Sequence, residues 1–313
     1  MELRSVLVTG GAGDIGRGIA KILRDVPWVG DVHGMDISGE FPAAAYYRDF
    51  VTGPTVRDPG YLDFLGAQVE RLGVDLVIPM SEPEIRHLGA ARVTEVGGAP
   101  VLMPSARAMD VGFDKLATAR FLEDSGLPFP WTVVAADTEP VALPCIMKSR
   151  SGSGSKSVHV VTEENAARLR EQTDGMIYQE LLSTDDDEYT CGLFRSAAGS
   201  VATIVFRRRL VGGRTGYARV VRDPAIEQLL HDLAERLDLV GSINVQLRRT
   251  DRGPVVFEIN PRFSSTVVFR HLLGFQDVAW AVLDRFGALG AIDFDPEAVA
   301  GKQIFRADDE IVW

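Results

Sequence analysis

Between Ile243 and Arg262 the chain alternates apolar and polar residues with a period of two, interrupted by the polar turn Asp251-Arg252-Gly253. This pattern predicts a β-hairpin. Pairing Thr250 with Pro254 around a three-residue loop sets Gln246 opposite Glu258 and Asn244 opposite Asn260. Those four oxygen-bearing side chains then share one face, with Arg262 just beyond, while Val245, Leu247, Phe257 and Ile259 face a core. Such a face is either solvated or a seat for a hard divalent cation and the phosphate it carries. Solvated strand faces favour Thr, Lys or Glu, and Asn and Gln are poor strand formers, which favours the second reading.

Upstream the period changes. Ser5-Val6-Leu7-Val8 reads as a buried strand, followed by Thr9-Gly10-Gly11-Ala12-Gly13-Asp14-Ile15-Gly16 and a helix to about Arg24. A strand over 31–37, a helix over 61–71, a buried strand over 75–79, a helix opened by Ser81-Glu82-Pro83-Glu84-Ile85 and a short strand at Val101-Leu102 follow. Strand–helix alternation predicts an open parallel sheet, with Gly11 to Gly13 and Met80 to Glu84 on its ligand-binding rim. Gly11, Gly13 and Gly16 match G-x-G-x-x-G, and Asp36 lies where a ribose-binding acid would, which supports a nicotinamide cofactor. The same turn also serves simply to pack a helix closely on its strand, and no tyrosine is followed by lysine four residues later. Glu82 and Glu84 read more simply as first-turn acids complementing a helix dipole than as ligands.

After Pro104 the pattern shifts again. Asp114-Lys115 opens an amphipathic helix stopped by Ser125-Gly126 and Leu127-Pro128-Phe129-Pro130. Strands over 131–135 and 144–148 lead to Ser149-Arg150-Ser151-Gly152-Ser153-Gly154-Ser155-Lys156-Ser157, then an apolar strand over 158–161. A Gly/Ser loop behind the strand lysine Lys148 can wrap phosphates with its backbone N–H groups, or can be a flexible hairpin tip. A helix over 163–172 and strands over 176–182, 189–194, 201–209 and 217–221 follow, with Asp185-Asp186-Asp187 as a solvated turn before Glu188. A helix over 225–237 returns the chain to the hairpin. This second half is mostly antiparallel.

At 313 residues the chain suits two or three packed domains, with edges near 104–110 and 183–187. A net charge of -11 excludes a nucleic-acid backbone as partner, though Arg207-Arg208-Arg209 offers a local basic patch. No apolar run reaches the length of a membrane span, and the N-terminal residues lack signal-peptide features, so a cytoplasmic location is expected. Cys145 and Cys191 fall in strand-like segments and read as small core residues. The five histidines lack metal-ligand spacing and are expected mostly at the surface.

The order of these pieces resembles the ATP-grasp superfamily, most closely its carbamoyl-phosphate-synthase-like branch. The resemblance spans nearly the whole chain. It rests on Asp114-Lys115 with Gly126-Leu127-Pro128-Phe129-Pro130, Pro144 to Lys148 with its Gly/Ser loop, Gln179-Glu180-Leu181-Leu182 with Glu188, and Gln246 with Glu258-x-Asn260-Pro261-Arg262. It implies an α/β Rossmann-like parallel-sheet domain over 1–108, then an α+β ATP-grasp fold with largely antiparallel sheets, its small lid subdomain over 109–184 and its large subdomain over 185–313. It further implies that Lys115 and Lys148 hold ATP phosphates and that the loop Ser151, Gly152, Ser153, Gly154, Ser155 and Lys156 closes over the γ-phosphate. Glu180 and the Leu182 backbone would meet the adenine, and Glu188 the ribose. Gln246, Glu258 and Asn260 would bind one or two Mg²⁺ (Mn²⁺ as the alternative), and Arg262 would steady the transferring phosphoryl group, so that Arg262, Lys148 and Asn260 are the catalytic candidates. Asn244, Arg207, Arg209, Glu82, Ser264 and Ser265 are candidate substrate neighbours; for Arg207 and Arg209 a solvated strand face is the competing reading.

Two departures from the family pattern stand out: Ser149 and Ser157 replace the usual proline and glycine of the loop, and Ser264-Ser265-Thr266 replaces a glycine pair after Arg262. The activity implied is ADP-forming ligation of a small-molecule carboxylate and amine through an acylphosphate, and the family adds a homodimer. The rivals are a nicotinamide-dependent oxidoreductase or epimerase and a non-catalytic ATP-binding regulator.

Overall fold

A computed structural model describes residues 1–39, 43–152, 158–182 and 188–307. The N-terminal third is a parallel sheet of β1 (Leu3–Thr9), β2 (Val29–Asp36), β3 (Phe50–Thr52) and β4 (Leu76–Pro79), in the order β3-β2-β1-β4. Helices α1 (Asp14–Arg24), α2 (Tyr61–Leu72) and α3 (Glu82–Ala90) connect the strands, and the small ladder β5 (Glu95–Val96) with β6 (Ala99–Pro100) follows. Val101 makes a single bridge to Val77 in place of the expected strand.

The glycine fingerprint is consumed by the fold itself. A Cβ on Gly16 would lie 2.5 Å from the Gly10 carbonyl oxygen, so glycine is what lets α1 sit against the turn. The turn's amides find protein partners: Gly11 donates to the Met35 carbonyl at 3.0 Å, Gly13 to Gly10 at 3.2 Å, and Ala12 to the Asp36 carboxylate at 2.9 Å. Asp36, the expected ribose acid, thus spends an oxygen on the turn. The positive end of α1 is met by its own Asp14, which pairs with Arg306 at 3.0 Å and Arg214 at 3.3 Å from the far end of the molecule.

Next come α4 (Ala106–Gly112), α5 (Lys115–Asp124) and a four-stranded antiparallel sheet ordered β7-β10-β8-β9, with β7 (Thr132–Val134), β8 (Cys145–Ser149), β9 (Val158–Val161) and β10 (Met176–Glu180). The helix expected over 163–172 contracts to α6 (Ala166–Leu169) and a 3-10 turn. The third unit is an antiparallel sheet of β11 (Glu188–Arg195), β12 (Val201–Val211), β13 (Arg214–Val220), β14 (Gly241–Thr250), β15 (Gly253–Asn260) and β16 (Gln303–Phe305), ordered β15-β14-β11-β12-β13-β16. Around it pack α7 (Pro224–Arg236), α8 (Val267–Leu272), α9 (Asp277–Arg285) and α10 (Pro296–Val299).

One face of this large sheet buries Val245 and Leu247 against Leu230 and Leu233 of α7 and Phe121 and Leu122 of α5. Helices α4 and α5 therefore pack on the large sheet, although the expected division assigned residues 109–184 together to the small one. The apolar stripe of α5 needs the wider surface. The other face joins Phe194, Phe206 and Trp280 to Val6, Val8 and Ile19 in one continuous core shared with the N-terminal sheet. Cys145 and Cys191 are buried free thiols. His33 is buried too, beside Asp49 at 3.0 Å, the exception among histidines expected mostly at the surface. No helix among the described residues is long and apolar enough to cross a membrane.

The β14–β15 hairpin has the expected facing pairs, Asn244 with Asn260 and Gln246 with Glu258, by a different route. Thr250 pairs with Gly253 around a two-residue turn, and a bulge at Phe257 restores the offset. The bulge corrects one expectation: Val255 and Val256 enter the core, whereas Phe257 stays half-buried on the cleft side. Since the Gly16 contact is with backbone, Gly16→Ala should lower stability by about 2 kcal/mol, seen as a lowered urea midpoint with an unchanged slope.

Candidate functional site

The site forms where β8 of the small sheet faces the hairpin. Lys148, 7% exposed, sits with its ammonium 5.3 Å from the Phe257 ring centroid. Burial pushes this lysine down to about 8, and neighbouring Lys115 acts in the same direction, while Glu258 and Glu188 oppose them. Two ammoniums and two carboxylates thus share one poorly solvated space. Such a space is attractive to a multiply charged anion, which would restore full protonation of Lys148.

Lys115 is placed by its helix start. Its Nζ donates to the Gly152 carbonyl at 2.8 Å and its backbone N–H to the Arg150 carbonyl at 3.0 Å. Asp114, the N-cap of α5, accepts from the Leu116 and Ala117 amides and takes a bidentate guanidinium from Arg150, with contacts of 2.9 and 2.6 Å. Burial alone would raise the Asp114 carboxyl, yet Arg150 and the amides hold it below its usual range. The base of the Gly/Ser loop is in this way fixed to the first turn of α5. Ser151 and Gly152 are exposed at its start; Ser153, Gly154, Ser155 and Lys156 lie outside the described residues.

Gln246, Glu258 and Asn260 line the cleft face, and none of their side chains has a hydrogen bond to the described residues. Asn244 differs: it is 2% exposed, accepts from Thr190 at 3.1 Å and donates to the Cys191 carbonyl at 3.2 Å. Its amide braces β14 against β11 and is not open to a ligand. Glu188 is gripped by Arg208 Nε at 3.0 Å and by Arg248 at 2.9 Å. The strand register sets Thr190 opposite Phe206, so Arg208 shares the face of Glu188, and Arg207 and Arg209 point to the other face. Alternation separates Arg208 from its neighbours; the substrate candidates Arg207 and Arg209 lie on the face opposite Glu188, as the competing reading of a solvated strand face has it. Glu180, at the end of β10, takes Arg252 of the hairpin turn at 2.6 Å, tying the small sheet to the large one beside Leu182.

Arg262 is partly buried, and its guanidinium is pushed down by burial and supported by Glu82 and Glu258. Glu82 also accepts from Arg86 at 2.9 Å, so this acid faces two guanidiniums across the boundary between α3 and the large sheet. Glu84 behaves differently from the helix-dipole expectation. It is 3% exposed and accepts from the Thr9 hydroxyl at 2.6 Å and from Tyr61, and burial raises its carboxyl above the ordinary range. It ties the ends of β1 and β4 together at the sheet's switch point.

The segment after Arg262 rests on a network that the sequence reading missed. Arg270, fully buried, donates to Asp277 at 2.8 Å and to the Ser264 hydroxyl at 2.8 Å; Ser242 donates to Asp277 at 2.7 Å. Gly192 makes room, since a Cβ there would stand 2.8 Å from Arg270 Nε. Ser264 is committed to this network, with Thr266 Oγ1 at 2.9 Å, and the Ser265 carbonyl accepts from Arg306. The signal was a lone arginine in the apolar run Val267-Val268-Phe269-Arg270.

Comparison with known proteins bears on the fold. Residues 113–266 match the family model described as ATP-grasp domain. The solved ADP complex of an N5-carboxyaminoimidazole ribonucleotide synthetase superposes with a TM-score of 0.74 at 15% identity, covering 91% of this chain and 77% of its own. The same synthetase from Thermus thermophilus gives 0.72 at 20% identity, covering 92% and 79%. A biotin carboxylase–β,γ-ATP complex from Campylobacter jejuni gives 0.70 at 14%, covering 96% and 74%. An uncharacterized protein, y4rH, of Sinorhizobium fredii is 26% identical over an alignment of 235 positions that covers 66% of this chain and 48% of that protein. The chain thus spans about half the length of that curated relative.

The buried charge of Lys148 makes stability pH-dependent. Unfolded lysine titrates near 10.5 and the folded one near 8, so between these values the unfolded state holds more protons and stability rises with pH. Urea titrations should show Lys148→Met more stable than the parent at pH 7.5, with the difference shrinking toward pH 10.5; a constant difference would exclude a buried ammonium.

Proposed function

We propose that this chain, which carries an ATP-grasp domain over residues 113–266, is an ADP-forming carboxylate–amine ligase acting on small molecules. The observation that carries the reading is the confrontation of Lys115 and Lys148 with the Gln246–Glu258–Asn260 face across one cleft. The solved relatives add support, being complexes with ADP and with a β,γ-ATP ligand in enzymes of the same fold.

A carboxylate resists attack by an amine because its leaving group would be oxide. Transfer of the γ-phosphoryl group of ATP to a carboxylate oxygen gives an acylphosphate and ADP. The amine then attacks the carbonyl carbon, phosphate leaves with the former carboxylate oxygen, and the nitrogen sheds a proton. Such chemistry asks the protein for charge neutralisation, alignment and exclusion of water rather than a covalent nucleophile. Lys115 and Lys148 would hold the polyphosphate, with Glu188 toward the ribose and Glu180 and Leu182 toward the base. Arg262, supported by Glu82 and Glu258, would face the phosphoryl group and the carboxylate that receives it. Glu82, whose charge supports Arg262, is the candidate for holding the amine.

One carboxylate and two amide oxygens, with no hydrogen bonds to the described residues, suit a hard cation, so Gln246, Glu258 and Asn260 would hold one or two Mg²⁺. When bound, that ion offsets charge on the triphosphate. A nicotinamide role fits less well, because the glycine turn already has protein partners for its amides and Asp14 already has two arginines at the start of α1.

Phosphate release measured over amino acids in pairs, with each amino acid alone as control, should reveal a pair that together support ADP formation. Glu258→Gln should reduce that rate about 100-fold or more. Stabilisation by NAD(H) with none by ATP·Mg²⁺, or an undiminished rate in the variant, would sink this reading.

A further inference from the structure

An arginine-lined groove lies on the outside of α4 and α5. The groove, of about 540 Å³, is walled by Arg107, Arg120, Arg150 and Arg236, with Phe121 beneath and Asp124 as its one acidic wall residue. Its size lies in the range of small-molecule pockets, roughly 300–1,000 Å³. None of Lys115, Lys148, Glu188, Gln246 or Glu258 lines it.

The charge pattern is unusual for this chain, which has 44 acidic residues against 33 Lys and Arg. Its exposed arginines commonly find a carboxylate, as Arg4, Arg92, Arg170 and Arg252 do. Among the described residues, Arg107, Arg120 and Arg236 have no ion pair. Arg107 lies over the Phe121 ring, 5.7 Å from its centroid. The guanidiniums come from three helices and the end of β8, so the arrangement is held by the fold rather than by one flexible segment. Planar guanidiniums converging on a concavity match a ligand with several phosphate or carboxylate groups.

The fourth arginine joins this groove to the cleft. Arg150 spends its guanidinium on Asp114, its carbonyl on the Lys115 N–H, and it precedes Gly152, whose carbonyl holds Lys115 Nζ. An anion that draws Arg150 outward competes with Asp114 and loosens the setting of Lys115. We propose that the groove binds a small polyanion and that its occupancy weakens polyphosphate binding at Lys115. The coupling rests on the nucleotide reading of the cleft; the groove itself does not.

The test is ADP affinity of the full chain, measured by calorimetry at rising inorganic tripolyphosphate without added Mg²⁺. The apparent dissociation constant of ADP should rise about fivefold and then level off, because coupling between two sites saturates. In the double variant Arg120→Gln/Arg236→Gln, ADP affinity without tripolyphosphate should be unchanged and the saturating rise should vanish. Citrate in place of tripolyphosphate separates the ligand classes: an equal effect supports a general polyanion site, and an effect of tripolyphosphate alone supports a phosphate site. A rise that never saturates in either protein would show binding in the nucleotide cleft only and would overturn the proposal, as would a saturating rise that survives the double variant or no effect of either anion. Failure of ADP to bind at all would strike the nucleotide reading, and direct titration with tripolyphosphate would still decide the groove.

Discussion

Keeping an ammonium charged at the bottom of a cleft is the constraint to which the rest of the site answers. Desolvation disfavours the charge on Lys148, and among the described residues no carboxylate bonds to it directly; it is supported at a distance by Glu258, Glu188 and the face of Phe257. Those supports come from β11 and β15, whereas the lysine comes from β8. The two antiparallel sheets therefore meet at an electrostatic problem that neither solves alone. The bulge at Phe257 is part of the solution, because it turns an aromatic ring out of the core and beneath the cation.

Much of this was legible in the chain. The hairpin's polar face could be read because period-two alternation and the mismatch of Asn and Gln with strand propensity are local signals. The same reasoning failed on Phe257, since a two-residue turn with a bulge and a three-residue loop without one give the same facing pairs. It left two readings of Arg207 and Arg209 because alternation separates a strand's two faces without saying which one meets the cleft. The placement of α4 and α5 on the large sheet, and the Arg270–Asp277 pair beneath Ser264, are long-range facts with no local mark beyond an arginine in an apolar helix.

The fold is shared with structures of 14–20% identity, so the ATP-grasp framework tolerates almost complete replacement of side chains. The segment after Arg262 departs from the pattern that the sequence resemblance implies. This Ser264-Ser265-Thr266 segment is not a loosened version of a glycine turn; it is held from below by a fully buried ion pair. Buried pairs are seldom retained for stability alone. Here the pair holds the Ser264 hydroxyl, and the missing side chain of Gly192 leaves room for Arg270.

The continuous core beneath the large sheet has a mechanical consequence. Val6 and Ile19 of the N-terminal sheet lie in the same apolar mass as Phe206 and Trp280, so those two units form one anvil. The four-stranded sheet stands apart, with a core of its own in Cys145, Met147, Val161, Leu169 and Tyr178. The small sheet therefore meets the rest of the described molecule along a seam, which the Glu180–Arg252 pair crosses. Lys148 belongs to the sheet with the smaller core and faces Glu188 and Glu258, which belong to the larger one.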